Sequence, residues 1–160
     1  MRTVLSARSL PDADLPGLLA AATGAGFDAV QLFRHQTGSS LAHPAWPARR
    51  IREALAASSL DMPVAEIRPL TGRKADSDER NLGYNLRQLS WDTHLCRFLG
   101  TRTVILRGGA DNDEARADLA EGLGQLAEQI PDVTFVVGPE AGTCLSCARA
   151  VDDLLPSVPA

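Results

Sequence analysis

Residues 100–129, GTRTVILRGGADNDEARADLAEGLGQLAEQ, hold one complete copy of the pattern that decides the fold. Thr103–Arg107 (TVILR) is a short apolar run with β-branched residues and reads as a strand. Gly108 and Gly109 break it, and from about 112 to 129 alanines and leucines recur at helical spacing. The acids that open this stretch suit the positive end of a helix dipole. A strand, a glycine turn and an amphipathic helix make a βα unit, and the same order recurs on both sides.

Upstream, Thr3–Arg8 (TVLSAR) predicts the first strand. Pro11, Asp12 and Asp14 then open a helix carrying Leu15, Leu18, Leu19 and Ala22, which Gly24 and Gly26 end. Asp28–Arg34 (DAVQLFR) predicts the second strand, followed by a loop with Gly38, Ser39, Ser40 and Pro44. A helix over about 46–58 has Pro47 in its first turn and Ile51 and Leu55 four apart. Pro63–Arg68 (PVAEIR) predicts the third strand, and the following LTGRKADSDER has no periodicity and is long for a βα loop. Leu82, Leu86, Leu89, Leu95 and Leu99 mark the longest helix, about 79–99, stopped by Gly100. Downstream, Val133–Val137 (VTFVV) predicts the fifth strand, and a helix over about 142–155 is closed by Pro156 and Pro159.

Five such units over residues 1–160 predict a single α/β domain. Two architectures use them. One is a five-stranded, flavodoxin-like doubly wound sheet, and the other is the first five-eighths of an eight-unit barrel, which ordinarily needs about 250 residues. Length alone favours the first.

Hydrophobic residues at 44% and charged residues at 22% exclude a disordered chain. No stretch approaches the roughly 18 to 20 apolar residues that span a bilayer, and MRTVLSARSLPDAD lacks the apolar core of a signal peptide. A net charge of -4 removes any general attraction to nucleic acid or anionic lipid, so neither is expected as a partner. Three cysteines suit a reducing compartment better than a disulfide framework, and a cytoplasmic location is expected.

Ligand-binding groups in parallel βα folds gather at the carboxyl ends of strands. Those ends read Arg8, Arg34-His35, Arg68, Arg107-Gly108-Gly109 and Gly138-Pro139-Glu140. Guanidinium groups grip carboxylates and phosphates in bidentate fashion, and the Gly108 and Gly109 amides precede a helix start, where an anion is favoured. An anionic small molecule is therefore the expected ligand, bound by Arg8, Arg34, Arg68, Arg107, Gly108 and Gly109. The competing reading pairs these arginines with Glu66, Asp111 and other acids, with Glu66 a candidate partner for Arg68. Proton transfer needs a positioned base, and Glu140, His35 and Glu66 are the candidates.

Cys144 and Cys147 form a C-x-x-C at an expected helix start, and His94 and Cys96 add H-x-C. The spacing between the pairs is not a zinc signature, and filling of helix faces is the simpler reading. Trp46 and Trp91 read as packing or interface residues, and His43 as a loop residue. Gly24-Ala-Gly26-Phe-Asp-Ala29 fits G-x-G-x-x-A, but it follows a helix and precedes a strand, the reverse of the dinucleotide-binding context.

Three segments, LSARSLPDADLPGLLAAATGAGFDAVQL, LGTRTVILRGG and PDVTFVVGPEAGTCLSCARAVDDLL, resemble the xylose-isomerase-like TIM-barrel family of sugar and sugar-phosphate isomerases and epimerases. The resemblance runs over nearly the whole chain and implies a barrel truncated after its fifth unit. It also implies proton transfer next to a carbonyl, usually with a divalent metal held by carboxylates and a histidine. In that family the fifth strand typically ends in a glutamate that serves as ligand and acid/base. Gly138 stands at that position, and Gln31 stands where many relatives carry a glutamate in the second strand. Glu140 becomes a displaced carboxylate if extended backbone continues through Pro139.

The resemblance thus implies an isomerase or epimerase-like protein acting without the family metal site, a divalent ion entering only if an interface completes that site. A homodimer, or a partner chain, is expected to cover the open sheet edges. Two other readings stay open. One is a non-catalytic ligand-binding or interaction module, and the other is a repurposed cyclase or dehydratase of specialised metabolism.

Overall fold

The computed structural model describes residues 2–33, 47–70 and 82–159. In chain order it contains β1 (Val4–Ser6), a 3-10 turn (Ala7–Ser9), α1 (Leu15–Gly24), β2 (Ala29–Phe33), α2 (Ala48–Ser58), β3 (Ala65–Glu66) and α3 (Leu82–Phe98). β4 (Thr103–Leu106), α4 (Asp113–Gln129), β5 (Thr134–Val137), α5 (Ala148–Leu154) and a second 3-10 turn (Leu155–Ser157) follow. The strands lie in the order β1-β2-β3-β4-β5. A doubly wound sheet reverses direction at a switch point, as in the order 2-1-3-4-5. Strictly sequential order is the winding of a barrel, so the flavodoxin-like alternative is excluded.

The chain divides into two compact units, residues 1–66 with 94–103 and residues 67–93 with 104–160. In the first, β1 pairs parallel to β2 with Val4 opposite Ala29 and Ser6 opposite Gln31, and β2 pairs parallel to β3 with Phe33 opposite Glu66. Ala29, Val30, Leu32 and Phe33 are all buried, the near-continuous apolar run of a strand covered on both faces. The Asp14 side chain caps α1 by accepting from the Gly17 amide at 2.8 Å. Leu15, Leu18, Leu19 and Ala22 bury one face of that helix. On α2, Ile51 and Leu55 do the same.

In the second unit β4 alternates, with Val104 and Leu106 buried. The segment after β3 continues the pairing, because the Ile67 amide donates to the Ile105 carbonyl at 3.1 Å. Asn112 caps α4 by accepting from the Ala115 amide at 2.8 Å. Gly122 lets α4 approach closely, since a Cβ there would lie 3.3 Å from Leu86 and 3.4 Å from Leu70.

Several boundaries depart from the sequence expectation. The first strand ends at Ser6 rather than Arg8, because the Ser6 hydroxyl accepts from the Arg8 amide and opens the 3-10 turn. The third strand shrinks to Ala65–Glu66. The last helix starts at Ala148, six residues later than expected from 142. The cause is a turn in which the Thr143 hydroxyl donates to the Glu140 carbonyl and accepts from the Leu145 amide, with Gly142 at φ +79. Arg34, the loop through Pro44, Trp46 and residues 71–81 lie outside the described residues. Among the described residues no helix is long and apolar enough to cross a membrane.

Candidate functional site

In the first unit three strand ends meet. Arg8, in the turn after β1, donates from Nη2 to Oε1 of Glu66 at the end of β3. Its guanidinium carbon lies 5.5 Å from the centroid of the Phe33 ring, the last residue of β2. The side chain of Glu66 is only 4% exposed and that of Arg8 is 43% exposed. A buried carboxylate is stable only when paired, and Arg8 supplies the charge. The result is an acid shielded from bulk water beside a cation that reaches it. Arg34 and His35 lie outside the described residues.

In the second unit Arg68 pairs with Asp92 rather than with Glu66, the candidate partner two residues away. Its Nε donates to Asp92 Oδ2 at 2.6 Å, its Nη2 to Oδ1 at 3.1 Å, and its Nη1 to Gln88 Oε1 at 2.9 Å. Gln88 and Asp92 are four apart on α3 and so share a face. Asp92 is buried, and the fork-to-fork geometry holds Arg68 in one orientation.

Arg107, just past β4, donates from Nη1 to the Pro139 carbonyl at 3.1 Å. A Cβ on Gly138 would lie 2.8 Å from that same Nη1. The glycine therefore leaves the room that the guanidinium occupies. β5 ends at Val137, so strand alternation does not carry through to Glu140. Glu140 instead sits in the Glu140–Leu145 turn, where its amide donates to the Leu145 carbonyl at 2.9 Å.

The two glycines after Arg107 have a packing reason. A Cβ on Gly108 would meet the Cys144 sulfur at 2.9 Å and Thr143 Oγ1 at 3.2 Å, and the Gly109 carbonyl accepts from the Cys144 amide. The start of α4 already carries the Asn112 cap with Asp113 and Glu114, its own negative charge. Burial pushes the Cys144 thiol above its ordinary range, against a smaller opposing effect of its hydrogen bonding at Gly109. Cys144 lies in the turn rather than on a helix, and Cys147 is exposed at the N-cap of α5. Cys96 is buried on α3, while His94 is exposed and within 3.3 Å of Arg97. Trp91 is 76% exposed, which leaves the interface half of its expected role and removes the packing half.

Sequence reasoning missed Phe33, Gln88 and Asp92. The signal for the last two was present: polar residues at 85, 88 and 92 fall among the leucines that mark the buried face of α3. Phe33 carried no signal beyond its place at a strand end.

No protein-family model matches the sequence, and no curated protein matches it either. Among solved structures, the chain is similar to a xylose isomerase-like TIM barrel/4-hydroxyphenylpyruvate dioxygenase fusion protein at 20% identity and a TM-score of 0.76, over 99% of this chain and 25% of that one. The chain has the fold of part of a xylose isomerase-like barrel. A xylose isomerase domain protein from Alicyclobacillus acidocaldarius is similar at 16% identity and a TM-score of 0.70, over 99% of this chain and 60% of that one. An L-ribulose 3-epimerase is similar at 19% identity and a TM-score of 0.73, over 98% of this chain and 57% of that one. The chain thus spans between 25% and 60% of the length of these three structures.

The described residues do not fit the carboxylate-held divalent metal that the family resemblance implies. Gly138 offers no side-chain ligand, and the space beside it holds the Arg107 guanidinium, a cation that repels a second one. Among the described residues no group of three or more His, Cys, Asp and Glu side chains gathers as a metal site.

Proposed function

We propose that this chain belongs to an isomerase or epimerase-like protein that moves a proton next to the carbonyl of an anionic, sugar-like substrate, without the metal centre of the family. The observation that carries this reading is the Arg8–Glu66 pair, which joins the ends of β1 and β3 across that of β2, with Phe33 of β2 beside it. Glu66 takes the proton from the carbon beside the carbonyl, and Arg8 balances the enediolate charge that then develops. Delivering the proton to the former carbonyl carbon, while the neighbouring hydroxyl's proton passes to the carbonyl oxygen, gives isomerisation; protonation of the original carbon from the opposite face by a second acid, with Glu66 keeping the proton it took, gives epimerisation. Either route conserves atoms and electrons without a further reactant.

Glu140 and His35 remain the other candidate acid/base groups. Arg34, Arg68 and Arg107, with the Gly108 and Gly109 amides, are the candidate anion contacts, and Arg107 supplies a fixed positive charge at the strand end where the family resemblance puts a metal ligand. Fold likeness to an L-ribulose 3-epimerase supports the reaction class. The three cysteines, none of them paired with another, support a cytoplasmic setting.

The test is hydrogen exchange from solvent. Purified protein is incubated in deuterated buffer with a panel of aldoses, ketoses and their phosphates, and deuterium entry beside the carbonyl is followed by NMR. Exchange into one of them that Glu66→Gln abolishes, with the fold kept by circular dichroism, is the expected result. Exchange that persists in the Glu66→Gln, Glu140→Gln and His35→Gln variants alike removes the acid/base assignment.

A further inference from the structure

The first unit has a concave surface at the opposite ends of its strands from Arg8 and Glu66. Arg2 precedes β1, Asp61 bridges to Ala29 at the start of β2, and Gly100 lies just before β4. Between them is a cavity of about 390 Å³, within the range of roughly 300–1,000 Å³ typical of small-molecule sites. Its floor is apolar: Leu55 from α2, Leu60 and Met62 from the segment before β3, and Leu99 after α3. Thr101 fixes that floor by donating its buried hydroxyl to the Met62 carbonyl.

The rim is charged and unequal. Arg2 pairs with Asp61, which cancels one charge. Arg52 lies on the rim with its guanidinium carbon 4.5 Å from the centroid of the Phe98 ring, and no carboxylate among the described residues pairs with it. The aromatic face orients the guanidinium while leaving its N–H edge unpaired among the described residues. An apolar floor under an oriented, uncompensated fork of donors selects a ligand with an apolar body and one planar anionic end.

We propose that this cavity binds a small amphipathic carboxylate, its carboxylate on Arg52 and its apolar part over Leu55, Leu60, Met62 and Leu99. The site is independent of the proposed proton-transfer chemistry. No lining residue is among the residues assigned to that reaction, so either assignment can fail alone.

The experiment titrates the purified protein with benzoate and with hexanoate, using benzyl alcohol and hexanol as uncharged counterparts. Binding is read by calorimetry and by the methyl resonance of Met62. Saturable carboxylate binding that shifts the Met62 methyl, with the alcohols at least about tenfold weaker, is expected from the loss of a charge-assisted hydrogen bond. Arg52→Gln weakens the carboxylates by a similar factor and leaves the alcohols unchanged. This substitution sits at an exposed position and leaves the buried floor intact. An unmoved Met62 methyl at millimolar carboxylate, alcohols that bind as well as carboxylates, or unchanged affinity in Arg52→Gln each overturns the proposal.

Discussion

At the residue scale, Gly138 and Arg107 are one feature read from two positions. The guanidinium lies where any side chain at 138 would begin, 2.8 Å from the missing Cβ, and its bond to the Pro139 carbonyl holds it there. Gly138→Ala therefore makes the flexible end of the Arg107 side chain shift and give up that bond, a loss of about 0.5–1.5 kcal/mol. In an Arg107→Ala background the same glycine substitution meets open space and is nearly neutral. Urea unfolding of the wild type, both single variants and the double variant measures the coupling directly. Additive losses would show that the two positions do not share that room.

At the scale of elements, legibility followed how local the determining forces were. Apolar periodicity located α1, α2 and α4 within a few residues, because one buried face per helix is written in the order of the side chains. The end of β1 and the start of α5 were misread because single hydroxyls, on Ser6 and Thr143, satisfied backbone groups locally and diverted the chain into turns. The arginine-rich strand ends were legible as residues, and so was Glu66 as a partner for them, but which arginine pairs with which acid was not. Glu66 and Arg68 are two apart in sequence, yet Glu66 is held by Arg8 and Arg68 by Asp92, pairings that depend on which strand and helix lie alongside. The junction of β1 with β2 carries a testable polar contact of the same kind. The Asp28 carboxylate accepts from the Thr3 amide at 2.7 Å and from its hydroxyl at 2.9 Å, and these bonds hold its pKa below the ordinary aspartate value. A group depressed in the folded state contributes stability above its unfolded pKa and loses it as pH falls through the folded one. Asp28→Asn should lower the urea midpoint at neutral pH and narrow the gap from wild type as the solution is acidified through the aspartate range. A gap that stays constant with pH would sink this account.

At the scale of the whole molecule, sequential strand order leaves β1 and β5 as the two ends of the sheet. Both are short, and each carries a valine that water reaches, Val4 at 37% exposure and Val136 at 40%. Neither strand has a lysine, a proline or a charged side chain within it, the devices that usually discourage pairing of an edge with another chain. An edge of that composition favours association, and a second copy of the chain is its proposed cover. Native mass spectrometry of the purified protein should therefore find a dimer. Val136→Lys places a hydrated charge on β5 where no buried neighbour has to move, so it should shift the population to monomer while the far-UV circular dichroism stays that of the wild type. A wild-type chain that remains monomeric as its concentration is raised would remove the homodimer, and the same spectrum would reveal a co-purifying partner chain if one covers the edge instead.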